Sequence, residues 1–319
     1  MRYRRLDLNL LVALEALLSE KSVTRAASKL NITQPAMSGA LARLRDYFED
    51  PLVVQVGRQM ELTPLAGSLV APVHDIILRI DSAIATEPAF EPRDSKRHFS
   101  ITASDYVIRV FLLDVLQRVH REAPGVSFEF HQSTGRVQEE LESGEVDFVI
   151  GPEIDVLSEH PHEMLFEDTY TVIAWAGSDV VGDTLTFDEY TALGHVVFRS
   201  DRQGSPSLER WFTRRYGDVR RIELTAHSFC LLPYMVIGTD RIATMQTRLA
   251  RQFEQSLPLK LIPAPLEFPR LVEVLQWNIH RDLDPASRWL RSKLKEAAAK
   301  GLPDSDTSPP LMTSMVASD

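Results

Sequence analysis

The sequence predicts an N-terminal winged helix-turn-helix with a long linker helix, followed by a larger α/β unit. Three observations predict this fold class. Apolar residues recur every three or four positions through residues 8–48. A short β-rich hairpin and a long amphipathic helix follow over residues 53–86. From residue 97 onward, short apolar strands alternate with helices, as in α/β proteins.

The composition is that of a globular protein, with 44% hydrophobic and 25% charged residues among 319. A single cysteine, Cys230, excludes an intramolecular disulfide, so we expect it to be a packing residue in a reducing compartment. The sequence shows neither a signal peptide nor an apolar run of membrane-spanning length. We therefore expect a cytoplasmic protein with no membrane partner.

The net charge of −10 is unevenly distributed. Residues 1–90 hold 10 basic and 10 acidic side chains, which leaves 25 of the 35 basic and 35 of the 45 acidic side chains for the rest. Residues 22–58 carry only a weak basic bias. Charge alone therefore does not indicate nucleic-acid binding, and that interpretation depends on the motifs.

Two helices open the chain. Residues 8–20 place leucines at helical spacing behind Asp7, which suits an N-cap. Residues 22–30 predict a second, two-turn helix with Ser22 or Thr24 as its N-cap. Asn31 suits the left-handed or turn conformation that ends this helix.

The third helix begins after Thr33, the predicted N-cap, and carries Pro35 in its first turn, where a missing N–H costs nothing. Its buried face is predicted to consist of Met37, Leu41, Leu44 and Phe48. Two helices joined by a short turn, the second opening on a cap and a proline, are typical of a helix-turn-helix.

A β-hairpin wing is predicted over residues 53–62, with its turn at Gly57 and Arg58. A long helix follows over residues 64–86, in which Pro72 should kink or weaken one turn. Its apolar stripe either packs on its own domain or pairs with a second subunit, and we expect the second.

Residues 6–67 closely resemble the LysR-type transcriptional regulators. The residues that carry the resemblance are Leu6-Asp7-Leu8-Asn9, the T-x-A-A-x-x-L of Thr24 to Leu30, Gln34-Pro35-Ala36 with Ser38, and Leu62-Thr63-Pro64. Several motifs recur at the correct separations, which makes the signal stronger than any single one. Arg43-Leu44-Arg45 is similar to the subgroup that contains nodulation activators and salicylate or nitroaromatic sensors.

The resemblance implies a DNA-binding domain at residues 1–63, a dimerisation helix at 64–86 and a hinge at 87–96. It implies a periplasmic-binding-protein-like effector domain at 97–300. The alternation of short strands and helices from residue 97 predicts a mainly parallel sheet there. Lobe I would span about 97–168 and 273–300, lobe II about 169–272, and residues 301–319, rich in Ser, Pro and Asp, would form a disordered tail. The implied partners are a dyad-symmetric double-stranded operator, a second copy in a dimer that forms tetramers, and RNA polymerase.

A recognition helix enters the major groove by its N-terminal turn, so the third helix would contact the bases. Gln pairs with adenine, Ser contacts phosphate or base, and Pro contacts a thymine methyl. The expected DNA-binding residues are Thr24, Thr33, Gln34, Pro35, Ser38, Gly39, Arg43 and Arg58. The alternative is a three-helix core in which Gln34 and Ser38 only cap. Gln55 stands where the family often has a wing arginine, so Arg58 becomes the better phosphate contact.

For the α/β unit, ligands are expected at the carboxyl ends of strands, between the lobes. The expected effector-binding residues are Ser104, Asp105, Tyr106, Thr169, Arg199, His227, Phe229 and Arg248. The resemblance implies an aromatic acid or phenol, stacked on Tyr106 and Phe229 and paired with Arg199 or Arg248. The alternative is that the strand-end Ser and Asp cap helices, the arginines are solvated and the histidine is structural.

No P-loop, nucleophile elbow, zinc-protease or dinucleotide-binding motif is found in the sequence, so neither an enzyme nor a cofactor is expected. His160 and His162 flank Pro161 on a predicted loop without a nearby thiolate, so no metal site is expected there. Two other classes stay open: a small-molecule-binding α/β protein, and a DNA-binding protein that needs no ligand.

Overall fold

The structure, a computed structural model, describes residues 8–57, 59–84, 90–133, 135–157, 159–199 and 207–300. Some predicted features lie outside the described residues. They are the N-cap Asp7, the wing residue Arg58, the junction at 85–89 and the tail at 301–319.

The N-terminal unit comprises three helices and a hairpin: α1 (Leu8–Glu20), α2 (Val23–Lys29), α3 (Gln34–Phe48), β1 (Val53–Val56) and β2 (Gln59–Leu62). Its core gathers apolar side chains from all three helices, including Leu14, Leu17, Ala26, Met37 and Leu44. The hairpin is antiparallel and turns at Gly57, which has a φ of +62°. The predicted helix-turn-helix with its wing is therefore present.

Local capping explains where these helices begin. Ser22, one of the two predicted caps, accepts a hydrogen bond from the backbone N–H of Arg25 at 3.3 Å, and Thr24 lies inside α2. Thr33 accepts one from the first turn of α3 at 3.4 Å. Asn31 takes a φ of +53° between α2 and α3, a conformation that asparagine tolerates better than most residues.

The linker helix is α4 (Pro64–Ile84), and Thr63 caps its first turn. Pro72 lies inside the helix, which continues on both sides. The predicted apolar stripe is divided. Val73 is buried against the core of the N-terminal unit, whereas Leu65 and Ile76 are 38% and 43% exposed. The helix thus packs on its own domain and leaves other apolar side chains uncovered.

The rest of the described chain forms two lobes, each on a five-stranded sheet. Lobe I has strand order β4-β3-β5-β12-β6 and contains β3 (His98–Thr102), α5 (Asp105–Val107), α6 (Leu113–Glu122), β4 (Ser127–His131), α7 (Val137–Glu142), β5 (Phe148–Pro152), β6 (His162–Asp168), β12 (Leu271–Trp277) and α12 (Pro285–Ala299). Lobe II has order β11-β7-β10-β8-β9 and contains β7 (Tyr170–Trp175), α8 (Phe187–Ala192), β8 (Gly194–Phe198), α9 (Ser207–Tyr216), β9 (Arg221–Ala226), α10 (Leu232–Val236), β10 (Ile242–Gln246), α11 (Thr247–Glu254) and β11 (Leu259–Ile262).

Both sheets are mainly parallel, as predicted, because four of the five strands in each run in one direction; each also contains one antiparallel strand, which was not predicted. In lobe I, β12 runs antiparallel to β5 and β6; in lobe II, β7 runs antiparallel to β10 and β11. The chain crosses between the lobes after Asp168 and again before Leu271. β7 and β12 are the first strands after the two crossings, and each starts at the end of its sheet that faces the other lobe. The neighbouring strands finish at that end, so β7 and β12 run antiparallel to them.

The N-terminal unit contacts lobe I through α4. Asp75 lies 3.5 Å from Nε2 of His280, which follows β12. One position earlier in the same helix, His74 lies against Gly144, just after α7. None of the described helices has the length and apolar character that crossing a membrane requires.

Candidate functional site

The predicted DNA-contacting side chains of α3 share one exposed face. Gln34, Pro35, Ser38 and Gly39 are exposed, while Met37 is fully buried on the opposite face. A β-carbon at Gly39 would meet no atom within 4 Å, so the fold itself does not require glycine there. This open surface at a helix N-terminus favours contact with an anion such as phosphate.

The other predicted DNA contacts lie around this face. Thr24 and Arg43 are exposed on α2 and α3, whereas Thr33 is engaged in capping. Arg45 has a structural role: its Nε donates a hydrogen bond to the carbonyl of Pro51 at 2.8 Å and so connects α3 to the segment that leads into the wing. Arg45 is thus engaged with the wing, whereas Arg43 keeps an exposed side chain near the C-terminal end of α3.

A cavity of about 1100 Å³ lies between the two lobes. The carboxyl ends of β3 and β5 and the helix α7 line it from lobe I, and the ends of β8 and β10 line it from lobe II. This is the position that the switch-point rule predicts. On the side of lobe II, Phe198 and Phe229 stack with ring centroids 3.8 Å apart, which makes that wall aromatic.

Five of the eight predicted effector residues line this cavity: Ser104, Asp105, Tyr106, His227 and Phe229. The other three, Thr169, Arg199 and Arg248, are not among its lining residues. Arg199 is exposed, and its neighbour Phe198 faces the cavity instead. Successive side chains of an extended chain point to opposite faces, so Arg199, one residue after Phe198, points away from the cavity.

Thr169 and Arg248 hold the crossing between the lobes. The hydroxyls of Thr169 and Thr247 lie 2.8 Å apart, and the backbone N–H of Arg248 donates to the carboxylate of Asp168 at 3.3 Å. The guanidinium of Arg248 reaches the carbonyl of Glu167 at 3.4 Å. These residues build the hinge of the cavity and do not line it.

Asp105 joins the lobes. Its carboxylate accepts hydrogen bonds from the hydroxyl of Ser228 at 2.6 Å and from the backbone N–H groups of Phe229 and Cys230 at 3.2 and 2.9 Å. Ser104 caps α5, accepting from its first turn at 3.2 Å. The strand-end Ser and Asp thus have structural roles at the wall of the cavity.

Tyr106 is 1% exposed, and its hydroxyl donates to Asp168 at 2.7 Å. Burial, reinforced by the nearby carboxylate of Asp168, raises the pKa of Tyr106 far above its usual range. Burial also raises the pKa of Asp168. The ring of Tyr106 meets Phe229 edge to face at 6.4 Å, so it supports the aromatic wall from behind.

The lining residues that were not predicted include Phe198, Gln246 and Glu273. Phe198 and Gln246 end β8 and β10, so the strand-end rule that found the other residues applies to them too. Glu273 could have been found because it is the one charged residue in a mostly apolar strand, LVEVLQW, where a charge is unexpected.

Metal binding and thiol chemistry find little support in the described part of the chain. No group of three or more His, Cys, Asp or Glu side chains there could hold a metal ion. Burial lowers the pKa of His160. Burial, together with the carboxylate of Asp105, raises the pKa of Cys230 to about 12, so this half-buried thiol stays protonated at neutral pH.

Two family models match the chain. Residues 8–66 match "Bacterial regulatory helix-turn-helix protein, lysR family", and residues 92–299 match "LysR substrate binding domain". Among the curated relatives, Nodulation protein D of Bradyrhizobium sp. (strain ANU 289) is 42% identical over 94% of this chain and 88% of its own length. Nodulation protein D 1 of Mesorhizobium japonicum is 43% identical over 94% of this chain and 96% of its own.

Solved structures show the same fold. A probable transcriptional regulator from Pseudomonas aeruginosa superposes with a TM-score of 0.66 at 28% identity, covering 92% of this chain and 98% of its own. A full-length OxyR variant from Pseudomonas aeruginosa superposes with a TM-score of 0.71 at 14% identity, covering 91% and 95%. The likeness therefore extends over the N-terminal unit, the linker helix and both lobes.

Proposed function

The chain belongs to the LysR family of DNA-binding transcriptional regulators with an effector-binding domain, and we propose that it senses a small aromatic effector in the cavity between its lobes. The observation that carries this proposal is the interlobe cavity with the stacked rings of Phe198 and Phe229 on its wall. A flat aromatic ligand gains both apolar burial and ring contacts at such a wall. The effector class is an aromatic acid or a phenol.

The DNA-binding part of the proposal assigns base contacts to Gln34, Pro35 and Ser38 on the exposed face of α3. Residues 22–58 carry only a weak basic bias, so a single head is a weak binder and two heads must act together on a dyad-symmetric operator. The uncovered apolar side chains of α4, Leu65 and Ile76, support a dimer through residues 64–86. Tetramers and contact with RNA polymerase complete the proposal.

The switch is the closure of the lobes. Arg210 of lobe II and Asp155 of lobe I form an ion pair at 2.9 Å, and both line the cavity. A ligand that binds the closed arrangement more tightly shifts the population towards it. Because α4 packs on lobe I, closure changes the spacing of two heads in a dimer. The proposed target is a catabolic or related operon, and the names of the relatives point to a nodulation operon as the alternative.

Thermal unfolding of the full chain tests the effector role. A panel of aromatic acids and phenols is added, and a compound that binds only the native state must raise the melting temperature. The same compounds are then tested in a footprint on a duplex selected in vitro for binding. We expect at least one compound to raise the melting temperature and to change the footprint. A footprint that no compound changes would favour the ligand-independent DNA-binding protein.

A further inference from the structure

A groove with aromatic walls lies on lobe II, outside the cavity between the lobes. It encloses about 650 Å³, and its lining includes Phe187, Trp211, Tyr216, Phe268, Pro265 and Pro269. All four rings are half-buried, so each keeps part of its surface open. None of these six residues lines the interlobe cavity or belongs to α3. The proposed function therefore gives this groove no role.

The four rings form a continuous row. The ring centroids of Phe187 and Tyr216 lie 5.2 Å apart, those of Tyr216 and Trp211 5.9 Å, and those of Trp211 and Phe268 5.4 Å. The row is therefore at most about 17 Å long, which is the length of about five residues in the polyproline II conformation. Proline-rich segments dock on aromatic-lined grooves of this kind, because polyproline II is preformed and loses little entropy on binding. The indole N–H of Trp211 is a donor that a backbone carbonyl of such a segment accepts.

Two arginines of α9 give the groove a positive side. Arg215 lines the groove and lies over the ring of Tyr216 at 5.6 Å, and its neighbour Arg214 is exposed. Among the described residues, neither guanidinium forms an ion pair with a carboxylate. Glu267 is the acidic residue of the lining. An occupant that combines prolines, apolar side chains and negative charge therefore fits the groove.

The chain itself contains such a segment after α12. Residues 301–319 read GLPDSDTSPPLMTSMVASD. They hold Pro309 and Pro310 followed by Leu311 and Met312, and they carry three aspartates and no basic residue. Adjacent prolines favour the polyproline II conformation. Composition and charge thus match this segment to the groove.

The segment is long enough to reach the groove. In lobe I, Lys295 of α12 lies 2.6 Å from Glu163 at the start of β6. Seven residues further along the chain, Tyr170 contacts the ring of Phe268 at 5.6 Å, so Glu163 lies at most about 25 Å from this end of the groove. The nine residues from Lys300 to Pro309 span about 28 Å in the polyproline II conformation.

We propose that residues 308–312 dock on this groove of their own chain, with Pro309 and Pro310 against Trp211 and Phe268. Residues 301–312 then form a strap that begins in lobe I and ends on lobe II, and the strap limits how far the lobes separate. A short tether gives an effective concentration of about 1 mM. A segment that binds as a free peptide with a Kd of about 0.1 mM therefore occupies the groove about nine-tenths of the time.

Hydrogen exchange of the full chain tests the docking. The double variant Pro309→Ala/Pro310→Ala keeps the length and the charge of the segment but removes both rings. It should raise amide exchange in α9 and in residues 263–269, because the docked segment no longer covers them. The matched control, Ser314→Ala/Ser318→Ala, changes two positions beyond the proposed contact and should leave exchange unchanged. Unchanged exchange in the proline variant would overturn the docking.

A peptide added in solution tests the groove itself. A labelled peptide of residues 301–319 should bind the full-length proline variant, whose own segment no longer competes, in fluorescence anisotropy. Adding Trp211→Ala should weaken this binding by about tenfold or more. Arg215→Glu, at an exposed position, should also weaken it and serves if Trp211→Ala fails to fold. Arg251→Glu, exposed on α11, is the control and should bind the peptide unchanged. Equal binding by all of these variants would exclude the groove.

Photo-crosslinking separates the chain's own groove from that of a second copy. Leu311→p-benzoylphenylalanine is introduced into the full chain, and ¹⁵N-labelled and unlabelled chains are mixed before irradiation. Cross-links from position 311 to residues 211–216 or 265–269 within one chain support the strap, whereas cross-links that join labelled to unlabelled chains would overturn it. Neither DNA nor an aromatic compound enters these measurements, so their failure leaves the proposed function intact.

Discussion

The imidazole of His74 lies so close to Gly144 that a β-carbon at Gly144 would collide with three atoms of the ring. His74 belongs to α4, and its Nδ1 lies 3.7 Å from a carboxylate oxygen of Glu15 in α1. Gly144 follows α7, which lines the interlobe cavity. One side chain therefore contacts both the N-terminal unit and a segment that continues from the cavity wall.

The variant Gly144→Ala should destabilise the protein more than Gly217→Ala. Both glycines have a positive φ, 67° and 73°, so alanine at either position costs about 1–2 kcal/mol in backbone strain. Only at Gly144 would the new methyl group also displace a ring, because nothing lies within 4 Å at Gly217. Urea denaturation gives both losses, and hydrogen exchange in α1 and α4 should rise only in Gly144→Ala. Equal losses and unchanged exchange would contradict a tight contact with His74.

The variant Glu273→Gln should remove a pH-dependent loss of stability. The folded pKa of Glu273 is about 8, above its ordinary value of 4.5. In the unfolded chain the group ionises near pH 4.5, so its stabilising contribution is complete below that pH and is lost as pH rises towards 8. Urea denaturation at several pH values should show the variant gaining on the wild type between about pH 5 and 8. Glu254→Gln, exposed on α11, is the control; a difference independent of pH would refute the assignment.

The variant Asp105→Asn should loosen the lobes. The carboxylate accepts three hydrogen bonds from residues 228–230, and bonds to a charged acceptor contribute about 1.5–3 kcal/mol each. Asparagine keeps one accepting oxygen but loses the charge, so we expect only part of this contribution to be lost, about 2 kcal/mol of unfolding free energy measured by denaturation, with a larger radius of gyration by small-angle X-ray scattering. Asp114→Asn, at an exposed position on α6, should do neither. An unchanged radius with full stability would exclude a clamp at Asp105.

The variant Gln34→Ala should weaken binding to the selected duplex by about tenfold, because a glutamine–adenine pair contributes about 1–3 kcal/mol of discrimination. Its melting temperature should stay unchanged, since Gln34 is exposed. Arg45→Ala is the contrasting variant: it should lower stability, because Arg45 ties α3 to Pro51 and Val53. Fluorescence anisotropy and thermal unfolding separate the two effects. Full affinity in Gln34→Ala would remove it from the DNA contacts.

The variant Ile76→Glu should dissociate the proposed dimer. Ile76 is 43% exposed on α4 within one chain, so the substitution should leave the fold of the monomer intact. A charge in an apolar helix pair opposes association. Sedimentation should show a smaller species, and fluorescence anisotropy should show that it binds DNA poorly. Val180→Glu, 65% exposed on lobe II, is the control; an unchanged sedimentation coefficient in Ile76→Glu would exclude α4 around this residue from the interface.

The N-terminal unit was the most predictable part because its signals are local. The N-cap of α3 at Thr33, the left-handed Asn31 and the buried face around Met37 all follow from residues within a few positions of one another. Such patterns specify a helix and its ends before any tertiary contact forms. Only the choice between Ser22 and Thr24 as a cap needed the structure.

The sheets were less predictable because strand direction depends on where the chain crosses between lobes. The segments around β7 and β12 were recognised as strands, but their antiparallel pairing was not predicted. Arg199 shows that the prediction of single binding residues is limited in a similar way, because it was expected in the cavity and does not line it. It follows a lining phenylalanine, and the alternation of side chains turns it away from the cavity.

The sequence by itself determined the family, the helix-turn-helix and its exposed recognition face, because those depend on contiguous residues and helical period. The tertiary structure decided which side chains form the effector cavity, since its walls come from strand ends that lie far apart in the chain. It placed Gln246 and Glu273 at the same cavity, each with an oxygen that accepts no hydrogen bond from a described residue. It also assigned Asp105 to the link between the lobes and brought His74 of α4 against Gly144. Burial and proximity, which no local pattern encodes, gave these residues their roles.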